Sequence, residues 1–550
     1  MKCINKLQTT ISVVLFLYLI TGIQAQDYEH LIIYGQSLST GHQSWPPLST
    51  ENVEGNYMIG TQVWINYSNF RLNRLKPLVS KVSDAELNNP KNRWVNTCAE
   101  NPLVGAVNHI QLKTNKANAY LASSCGVGGK TIEELSKEHY NSGLYNEFTK
   151  LLGYAKPFNP HCPAIVFMQG EYNYVLPLDN TGLTAGSRPT GVKEEYKNLL
   201  LNLKNNMQAD VKSKYNQADN PLFITYQAGV QYTRGKTLEI GMAQLEASNE
   251  NDDIINAGPV YPMTDRGGHL DSNGYRWYGE MLGKAYYQTK ILETPFMPLQ
   301  PSEISRTNNP KVLRVKFYVP CPPLVLDELI VPKQPNYGFD IYLNNIKKAI
   351  SKIEIDGDDV LITCTENLTG DVEVAYAGEQ NAGNGNLRDS DPYQAFYTYE
   401  DLDGKNEDNT YKFVRDADET TLRPDYEPRD QDGIIYGKSY PLYNFSVAFY
   451  YKLNADEQKK SVLLKLTTSI KEIPSENNFV IRYDKGQLTI TSTEQTQIAK
   501  LIISNLAGSV VFSSDNQSTN QHIHIPLQKG IYIVSTIQHN LHESTKLAIR

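Results

Sequence analysis

The sequence predicts an α/β domain with a parallel sheet, followed by two smaller all-β regions. Between Tyr28 and about Leu292, short apolar runs alternate with longer segments of helical periodicity, a pattern typical of a sheet with helices on both faces. From about Gln300 onwards, short segments of alternating apolar and polar residues are separated by Gly, Asn, Asp and Pro, which indicates antiparallel strands. A chain of 550 residues has room for three domains of ordinary size.

The elements of the α/β domain follow from their apolar patterns. Strands are predicted at residues 31–34, 119–123, 164–168 and 222–228, and helices at residues 103–113, 194–209, 238–248 and 275–289. We therefore expect this domain at 27–293. The proline-bearing segment 294–298 ends it, and we expect a β-sandwich at 300–455 and a small all-β domain at 470–550.

The first 25 residues have the layout of a secretory signal peptide. Lys2 and Lys6 precede the apolar run 11–20, and Ala25 offers a small residue for cleavage. This run is too short to cross a bilayer, and no later stretch is apolar enough to do so. We expect an exported protein without a membrane span, in the periplasm, at the cell surface or outside the cell.

The charge balance argues against a nucleic-acid partner. The chain carries 52 Lys and Arg against 60 Asp and Glu, a net charge of −8. There is no basic stripe of the kind that phosphate binding requires. The acidic segment 399–431 is expected to be a solvated loop, with a calcium site as the alternative.

The cysteine pattern permits disulfides but predicts no metal site. In an exported protein, Cys321 and Cys364 are a plausible pair, and two of Cys98, Cys125 and Cys162 are another. Without clustered Cys and His at ligand spacing we expect no structural zinc, and the His522/His524 pair is interpreted as polar alternation along a strand.

A candidate nucleophile follows the first predicted strand. The run Leu31-Ile32-Ile33-Tyr34 leads into Gly35-Gln36-Ser37, and ligands of parallel sheets bind beyond the carboxyl ends of the strands. Gly35 permits the sharp turn that exposes the Ser37 hydroxyl, and Gln36 is a candidate oxyanion or substrate-binding residue. An ordinary strand-to-loop turn is the alternative, because Gly-x-Ser is a common sequence.

Two further segments offer groups that stabilise an oxyanion. Gly128 and Gly129 follow the strand at 119–123, and adjacent glycines let backbone N–H groups approach a ligand oxygen. Gln169-Gly170-Glu171 follows the strand at 164–168, where Gln169 has an amide donor and Glu171 is expected to orient its neighbours. Generic turns are the alternative for both segments.

The candidate base is His269, in a loop before the last predicted helix. A neutral imidazole deprotonates a serine when an acid holds its other ring nitrogen. Asp265 and Asp271 are the local acids. Asp271 is explained as the N-cap of the helix, so Asp265 is the better partner.

Taken together, these segments resemble the SGNH hydrolases, in particular the branch of sialate O-acetylesterases and acetylxylan esterases. The resemblance lies in Gly35-Gln36-Ser37, Gly128-Gly129, Gln169-Gly170-Glu171 and His269-Leu270, and it covers about the first half of the chain. It implies a flavodoxin-like three-layer fold, a serine acyl-enzyme, no metal or other cofactor, and removal of acetyl groups from carbohydrate. Asp265 lies four residues before His269, where the family has three. A Ser–His dyad or a role for Asp271 therefore stays open.

Three further expectations concern the rest of the chain. Residues from about 477 to 550 resemble the C-terminal sorting domains of exported Bacteroidetes proteins, through Asn505-Leu506-Ala507-Gly508 and the segment 529–534, which implies contact with secretion machinery. The Gly- and Asn-rich loop 383–392 is either a simple turn or a cover for the esterase cleft. The alternative to an esterase is a glycan-binding surface protein whose SGNH-like domain has lost activity.

Overall fold

The computed structural model describes residues 28–67, 70–81, 98–138, 143–175, 189–264, 269–402 and 427–462, and in the C-terminal region residues 479–484, 487–492, 497–505, 510–518, 521–525, 527, 530–538 and 541–549. The expected signal peptide, Asp265 and most of the acidic segment lie outside these residues. The chain divides into two compact units. The first takes in Met1–Ser390 and Gln394–Leu463, and the second takes in Asp391–Tyr393 and Leu464–Arg550.

Strands and helices alternate in the first part of the first unit. In chain order they are β1 (Tyr28–Gly35), β2 (Asn56–Ile59), β3 (Leu75–Pro77), α1 (Pro102–Lys113), β4 (Tyr120–Ser124), α2 (Ile132–Leu135), α3 (Tyr145–Ala155), β5 (Pro160–His161), β6 (Ala164–Met168), α4 (Glu171–Val175), α5 (Lys193–Tyr215), β7 (Leu222–Gln227), α6 (Glu239–Glu250), β8 (Ile254–Pro259) and α7 (Ser272–Tyr286).

These strands form one sheet in the order β3-β2-β4-β1-β6-β7-β8, with β5 paired to β1. Its strands β4, β1, β6, β7 and β8 are parallel, and numbered along the chain they have the flavodoxin-like order 2-1-3-4-5. The expected α/β class is confirmed. Because β1 is central and covered on both faces, its residues Leu31, Ile32 and Ile33 are all 0% exposed, which explains its unbroken apolar run.

Strand β8 and helix α3 are among the elements of this part that sequence reasoning missed. Strand β8 is interrupted by Asn256, Gly258 and Pro259, so it lacks an apolar pattern. It lies at the edge of the sheet, where a proline without an N–H is tolerated. Helix α3 buries Phe148, Leu151 and Leu152 on one face and was not predicted either.

The second part of the first unit is built from antiparallel strands. They are β9 (Gln300–Arg306), β10 (Val312–Tyr318), β11 (Val325–Leu326), β12 (Phe339–Leu343), β13 (Ile346–Lys348), β14 (Ile350–Asp356), β15 (Asp359–Cys364), β16 (Val372–Tyr376), β17 (Leu387–Arg388), β18 (Gln394–Thr398), β19 (Arg429–Asp430), β20 (Gly433–Ile434), β21 (Ser439–Pro441), β22 (Phe449–Leu453) and β23 (Lys459–Ser461).

Two sheets dominate these accessory strands, in the orders β14-β15-β10-β9-β23 and β13-β12-β16-β22. Phe317 of the first sheet packs edge-on against Phe449 of the second, with ring centroids 5.9 Å apart, as in a sandwich of two sheets. The Cys321–Cys364 pair is not formed. Cys364 is a buried thiol, and burial raises its pKa to about 11.

The second unit is also antiparallel. Its strands are β24 (Phe479–Asp484), β25 (Gln487–Ser492), β26 (Gln497–Asn505), β27 (Val510–Ser518), β28 (Gln521–His524), β29 (Gly530–Gln538) and β30 (Leu541–Ile549), in the sheets β24-β25-β28 and β27-β26-β29-β30. Leu488, Leu501, Ile503 and Val534 are completely buried in its core.

Candidate active site

The carboxyl end of β1 presents Ser37 in a tightly packed turn. Of the residues from Leu31 to Thr40, only Ser37 is partly exposed, and the others are buried. Gly35 has φ +141°, and a Cβ there would lie 2.0 Å from the Met168 carbonyl oxygen, so the turn requires glycine. Ser37 thus begins a short 3₁₀ turn, Ser37–Thr40, with its side chain at the edge of the sheet.

Side chains fix the backbone of this turn. Thr40 Oγ1 donates to the Ser37 carbonyl at 2.7 Å, and Ser39 Oγ donates to the Gln36 carbonyl at 2.6 Å. The Ser39 carbonyl accepts from Asn101 Nδ2 and from Ser124 Oγ. The Ser37 backbone is therefore held before any substrate arrives, which is the preorganisation that a nucleophile needs.

The structure brings Ser37 and His269 together. His269 Nε2 lies 2.7 Å from Ser37 Oγ, close enough for the hydroxyl to donate to a neutral imidazole. Burial, together with a smaller contribution from the neighbouring His42, lowers the pKa of His269 to about 3. The imidazole is thus neutral at pH 7, the form in which it accepts a proton.

His42 is a neighbour that sequence reasoning missed. Its ring meets the His269 ring edge-on, with centroids 4.8 Å apart and an interplanar angle of 73°. Its Nδ1 is 3.8 Å from Cys98 Sγ, and its carbonyl accepts from the Tyr275 hydroxyl at 2.9 Å. Its position five residues after Ser37 was the only available signal, and that spacing carries no general meaning.

The acid of the expected triad is not described. Asp265 lies outside the described residues, so its role stays a prediction. Asp271, the alternative, accepts from the Gly274 N–H and from Thr264 Oγ1, both at 2.7 Å. Its expected role as N-cap of α7 is confirmed.

The glycine loop after β4 runs beside the serine turn. The Val127 N–H donates to the Gly35 carbonyl at 2.8 Å. A Cβ on Gly128 would lie 3.9 Å from Ser37 Cβ, and Gly128 and Gly129 are both exposed. Because of this short distance, Gly128 is the candidate oxyanion donor that lies closer to Ser37. Among the described residues, the N–H groups of Ser37 and Gly128 meet no hydrogen-bond acceptor.

The structure does not bring the Gln169 amide to the Ser37–His269 pair, contrary to the sequence-based expectation. Gln169 is completely buried, and its Nε2 donates to Asn173 Oδ1 at 2.7 Å and to the Lys130 carbonyl at 3.2 Å. Its Oε1 accepts from the Tyr196 hydroxyl. Both amide hydrogens are therefore used inside the protein, where they hold Lys130, the residue after the glycine pair.

Gln36 also has a supporting position rather than the expected ligand-facing one. Its side chain is buried, and Oε1 accepts from the N–H groups of Gly170 at 3.3 Å and Tyr172 at 3.2 Å. Gln36 thereby ties the end of β1 to the start of α4. Polar residues near a nucleophile look alike in sequence, whether they face the ligand or the scaffold.

Glu171 lies in a buried tyrosine cluster. Its Oε2 accepts from the Tyr226 hydroxyl, and burial raises the pKa of the carboxyl to about 7. Tyr226 packs edge-on to Tyr278 of α7, with ring centroids 6.5 Å apart. Glu171 is therefore linked through Tyr226 to the helix that follows His269, and its orienting role stays a prediction.

Residues 383–390 are built into the accessory strands. Asn386 is completely buried and donates to the carbonyls of Asp327 and Val331, and the buried Asp389 accepts from the N–H groups of Cys321 and Asn444. These contacts show a structural loop, and its proposed effect on substrate access stays a prediction.

The described residues lack two further features. No group of three or more His, Cys, Asp or Glu is arranged there to hold a metal ion. Within the same residues, no helix has the length and apolar character that crossing a membrane requires.

The comparison with protein families identifies the end of the chain. Residues 484–550 match the secretion system C-terminal sorting domain, which confirms the expected sorting-type region. This domain indicates export through the type IX secretion system, and the predicted export is thereby confirmed. No curated protein matches the chain.

Several solved structures are similar in fold. A carbohydrate acetylesterase from Xanthomonas citri is 16% identical, over 65% of this chain and 77% of that one, with a TM-score of 0.42. A carbohydrate acetylesterase from Sinorhizobium meliloti is 8% identical, over 48% and 99%, with a TM-score of 0.25. An acetyl xylan esterase from the rumen bacterium Butyrivibrio proteoclasticus is 10% identical, over 48% and 64%, with a TM-score of 0.24.

Proposed function

We propose that the protein is an exported carbohydrate O-acetylesterase that works as a serine hydrolase. The observation that carries the proposal is the 2.7 Å contact between Ser37 Oγ and His269 Nε2, at the carboxyl edge of the sheet and beside the exposed Gly128. A hydroxyl in contact with a neutral imidazole and next to unused N–H groups is the arrangement that acyl transfer requires.

In the acylation step, His269 Nε2 takes the Ser37 proton while Oγ attacks the acetyl carbonyl carbon. The carbonyl oxygen becomes an oxyanion, which accepts from the N–H groups of Ser37 and Gly128. The C–O bond to the sugar then breaks, and the imidazolium returns the proton to the sugar oxygen. The products are a free sugar hydroxyl and an acetyl ester on Ser37.

In deacylation, His269 takes a proton from water, and the hydroxide oxygen attacks the acetyl-enzyme carbonyl. In the collapse of the second tetrahedral intermediate, the bond between the acyl carbon and Ser37 Oγ breaks, the imidazolium returns its proton to Oγ, and acetate is released. The acid that steadies the imidazolium is Asp265 in this proposal, because the family that the sequence resembles has an aspartate before the histidine, although at a spacing of three residues rather than four. That resemblance is also the basis for choosing acetylated carbohydrate as substrate.

The decisive experiment replaces the nucleophile. Ser37→Ala should lower acetate release from acetylated xylo-oligosaccharides by roughly 10⁴-fold or more, because loss of the nucleophile removes the covalent route. Ser351→Ala, at a site in accessory strand β14, is the matched control and should keep full activity. Circular dichroism should show that both variants fold like the wild type.

Two results would contradict the proposal. Unchanged turnover in Ser37→Ala would exclude the serine mechanism. A wild-type protein that binds acetylated glycans, releases no acetate and fails to react with a serine-directed fluorophosphonate would instead support the non-catalytic glycan-binding alternative.

A further inference from the structure

Trp64 lies at the same edge of the sheet as the candidate nucleophile. The Ser124 N–H donates to the Val63 carbonyl at 2.8 Å, and the Ile65 N–H donates to the Ser124 carbonyl at 2.9 Å. Ser124 is the last residue of β4, so this segment extends the sheet at its carboxyl edge. Val63 and Ile65 are buried, whereas Trp64, between them, is only partly buried, as expected when successive side chains alternate in direction.

The indole is anchored to the glycine loop by one edge. Trp64 Nε1 donates to the Gly126 carbonyl at 2.8 Å, and Gly126 packs against Ser39 so tightly that a Cβ would lie 1.9 Å from Ser39 Oγ. Two residues later the same loop reaches Gly128, beside Ser37. The anchoring bond therefore ties the indole to the loop that carries the proposed oxyanion donor.

The ring is also held from the side. Tyr67 meets the indole edge-on, with ring centroids 5.2 Å apart and an interplanar angle of 86°. Asn66 Nδ2 lies 3.4 Å from the same Gly126 carbonyl, which ties the turn to the loop a second time. A ring fixed in this way loses little conformational freedom when a ligand packs on it, so more of the contact energy appears as affinity.

We propose that Trp64 forms a sugar-binding subsite, with its exposed face packed on the apolar face of the pyranose ring that carries the acetyl group. The inference rests on the proposed esterase function and specifies how the carbohydrate is recognised. Because the indole N–H is already used by Gly126, Trp64 contributes its ring face and not a hydrogen bond. Aromatic faces give large apolar contact area at low entropic cost.

The test separates the ring face from the N–H group. Trp64→Ala removes both, and Trp64→Phe keeps a flat aromatic face while losing the bond to Gly126. In a Ser37→Ala background, which prevents turnover, binding of an acetylated xylo-oligosaccharide is measured by calorimetry. Trp64→Ala should weaken binding about 10-fold or more and Trp64→Phe by about 3-fold or less.

A small ester tests the competing explanation, that Trp64 only holds the glycine loop. Ethyl acetate has no sugar ring, so in the Ser37 protein any fall in its kcat/KM measures only the effect of the lost bond to Gly126 on the glycine loop, and the fall should be the same in Trp64→Ala and Trp64→Phe. Tyr436→Ala, which removes another aromatic ring that is 40% exposed, is the control and should leave binding unchanged.

The outcomes are distinct. Unchanged binding in Trp64→Ala, equal losses of oligosaccharide binding in Trp64→Ala and Trp64→Phe, or no binding of any acetylated oligosaccharide would each overturn the subsite. A wild-type protein that hydrolyses neither ester would refute the proposed function, and the binding titration would still decide the role of Trp64.

Discussion

Ser37 and His269 form one hydrogen bond, but different parts of the molecule hold these two residues in place. The serine turn is held by its own neighbourhood in the α/β part, through strands β4 and β6 on either side of β1 and through side-chain bonds to the backbone of Gln36, Ser37 and Ser39. These groups all come from the sheet and the loops at its edge. The position of the nucleophile is therefore local in origin.

The histidine region depends on the accessory strands. Helix α7 begins three residues after His269, and every one of its residues is buried. Arg276 donates to the Tyr440 hydroxyl and to the Thr398 carbonyl, and Lys284 Nζ donates to the Leu442 carbonyl at 2.6 Å. Trp277 stacks on Tyr440 with ring centroids 5.4 Å apart.

The comparison shows that the accessory sheets are part of the support of the site. Without the accessory strands, the charged and aromatic side chains of α7 would be exposed to solvent. His269 would then no longer precede a helix that is held in a fixed position. The nucleophile has no such dependence. Damage to the accessory contacts should therefore act on the site through His269, and damage to the β1 turn should act through Ser37.

The largest effect is expected for Gly35→Ala, in the serine region. The new Cβ would overlap the Met168 carbonyl, and alanine rarely adopts a φ of +141°. We expect a loss of about 4 kcal/mol or more in the free energy of unfolding, measured by urea denaturation, because overpacking and backbone strain add. Hydrolysis of acetyl esters should fall with it.

The control for Gly35 is another glycine with positive φ. Gly357 has φ +63° and open space around its Cβ position, so Gly357→Ala carries the strain without the overlap and should cost about 1 kcal/mol. Equal stabilities of the two variants would show that the turn at Gly35 can relax, and the local account of the nucleophile would be wrong.

A smaller but still large effect is expected for Glu280→Ala, in the histidine region. The Glu280 carboxylate is completely buried and accepts from His109 Nδ1 at 2.7 Å and from the N–H groups of Phe396 at 2.8 Å and Tyr397 at 2.9 Å. Its removal leaves these donors buried without an acceptor, which should cost about 3 kcal/mol in the free energy of unfolding. Urea denaturation measures this cost.

The control is an exposed carboxylate that also belongs to the α/β part of the first unit. Glu54 pairs with Lys116 at the surface, and Glu54→Ala should leave the unfolding midpoint unchanged. Below its unfolding transition, Glu280→Ala should also lower kcat about 10-fold through displacement of α7. A destabilised variant with full kcat would contradict the link between the accessory strands and His269.

Sequence reasoning succeeded where the signal is local. The apolar run of β1 predicts a buried central strand, Gly35-Gln36-Ser37 predicts the turn, and Asp271 predicts the start of α7. Each depends on a few neighbouring residues. The Ser37–His269 contact was accessible as well, because parallel strands deliver their ends to one edge of the sheet.

The burial and the hydrogen-bond partners of polar side chains could not be predicted from the sequence. Arg276, Glu280 and Lys284 recur every four residues and would form a solvated face of an isolated helix, yet they are at most 6% exposed because accessory strands cover them. Gln169 has the right chemistry for an oxyanion donor, but Asn173 and Lys130 use its amide hydrogens. Only the three-dimensional arrangement decides between such roles.

The smallest effect concerns the far end of β1 and tests whether support of the nucleophile is local. His161 lies 2.8 Å from Glu29 and 3.1 Å from Asp219. The hydrogen bond to Glu29 raises the pKa of His161, burial opposes this, and Asp219 adds to the rise. A raised pKa stabilises the folded state fully below the unfolded value of about 6.5, and this stabilisation is lost as pH rises through the folded value.

In urea denaturation, His161→Gln should therefore lose more stability at about pH 5.5 than at about pH 9, by less than about 1 kcal/mol for a pair near the surface. Glu29→Gln should flatten the same pH dependence, and neither variant should change kcat, because Ser37 is at the opposite end of the strand. A larger loss at high pH would reverse the assigned direction, and a fall in kcat would show that support of the nucleophile extends along the whole strand.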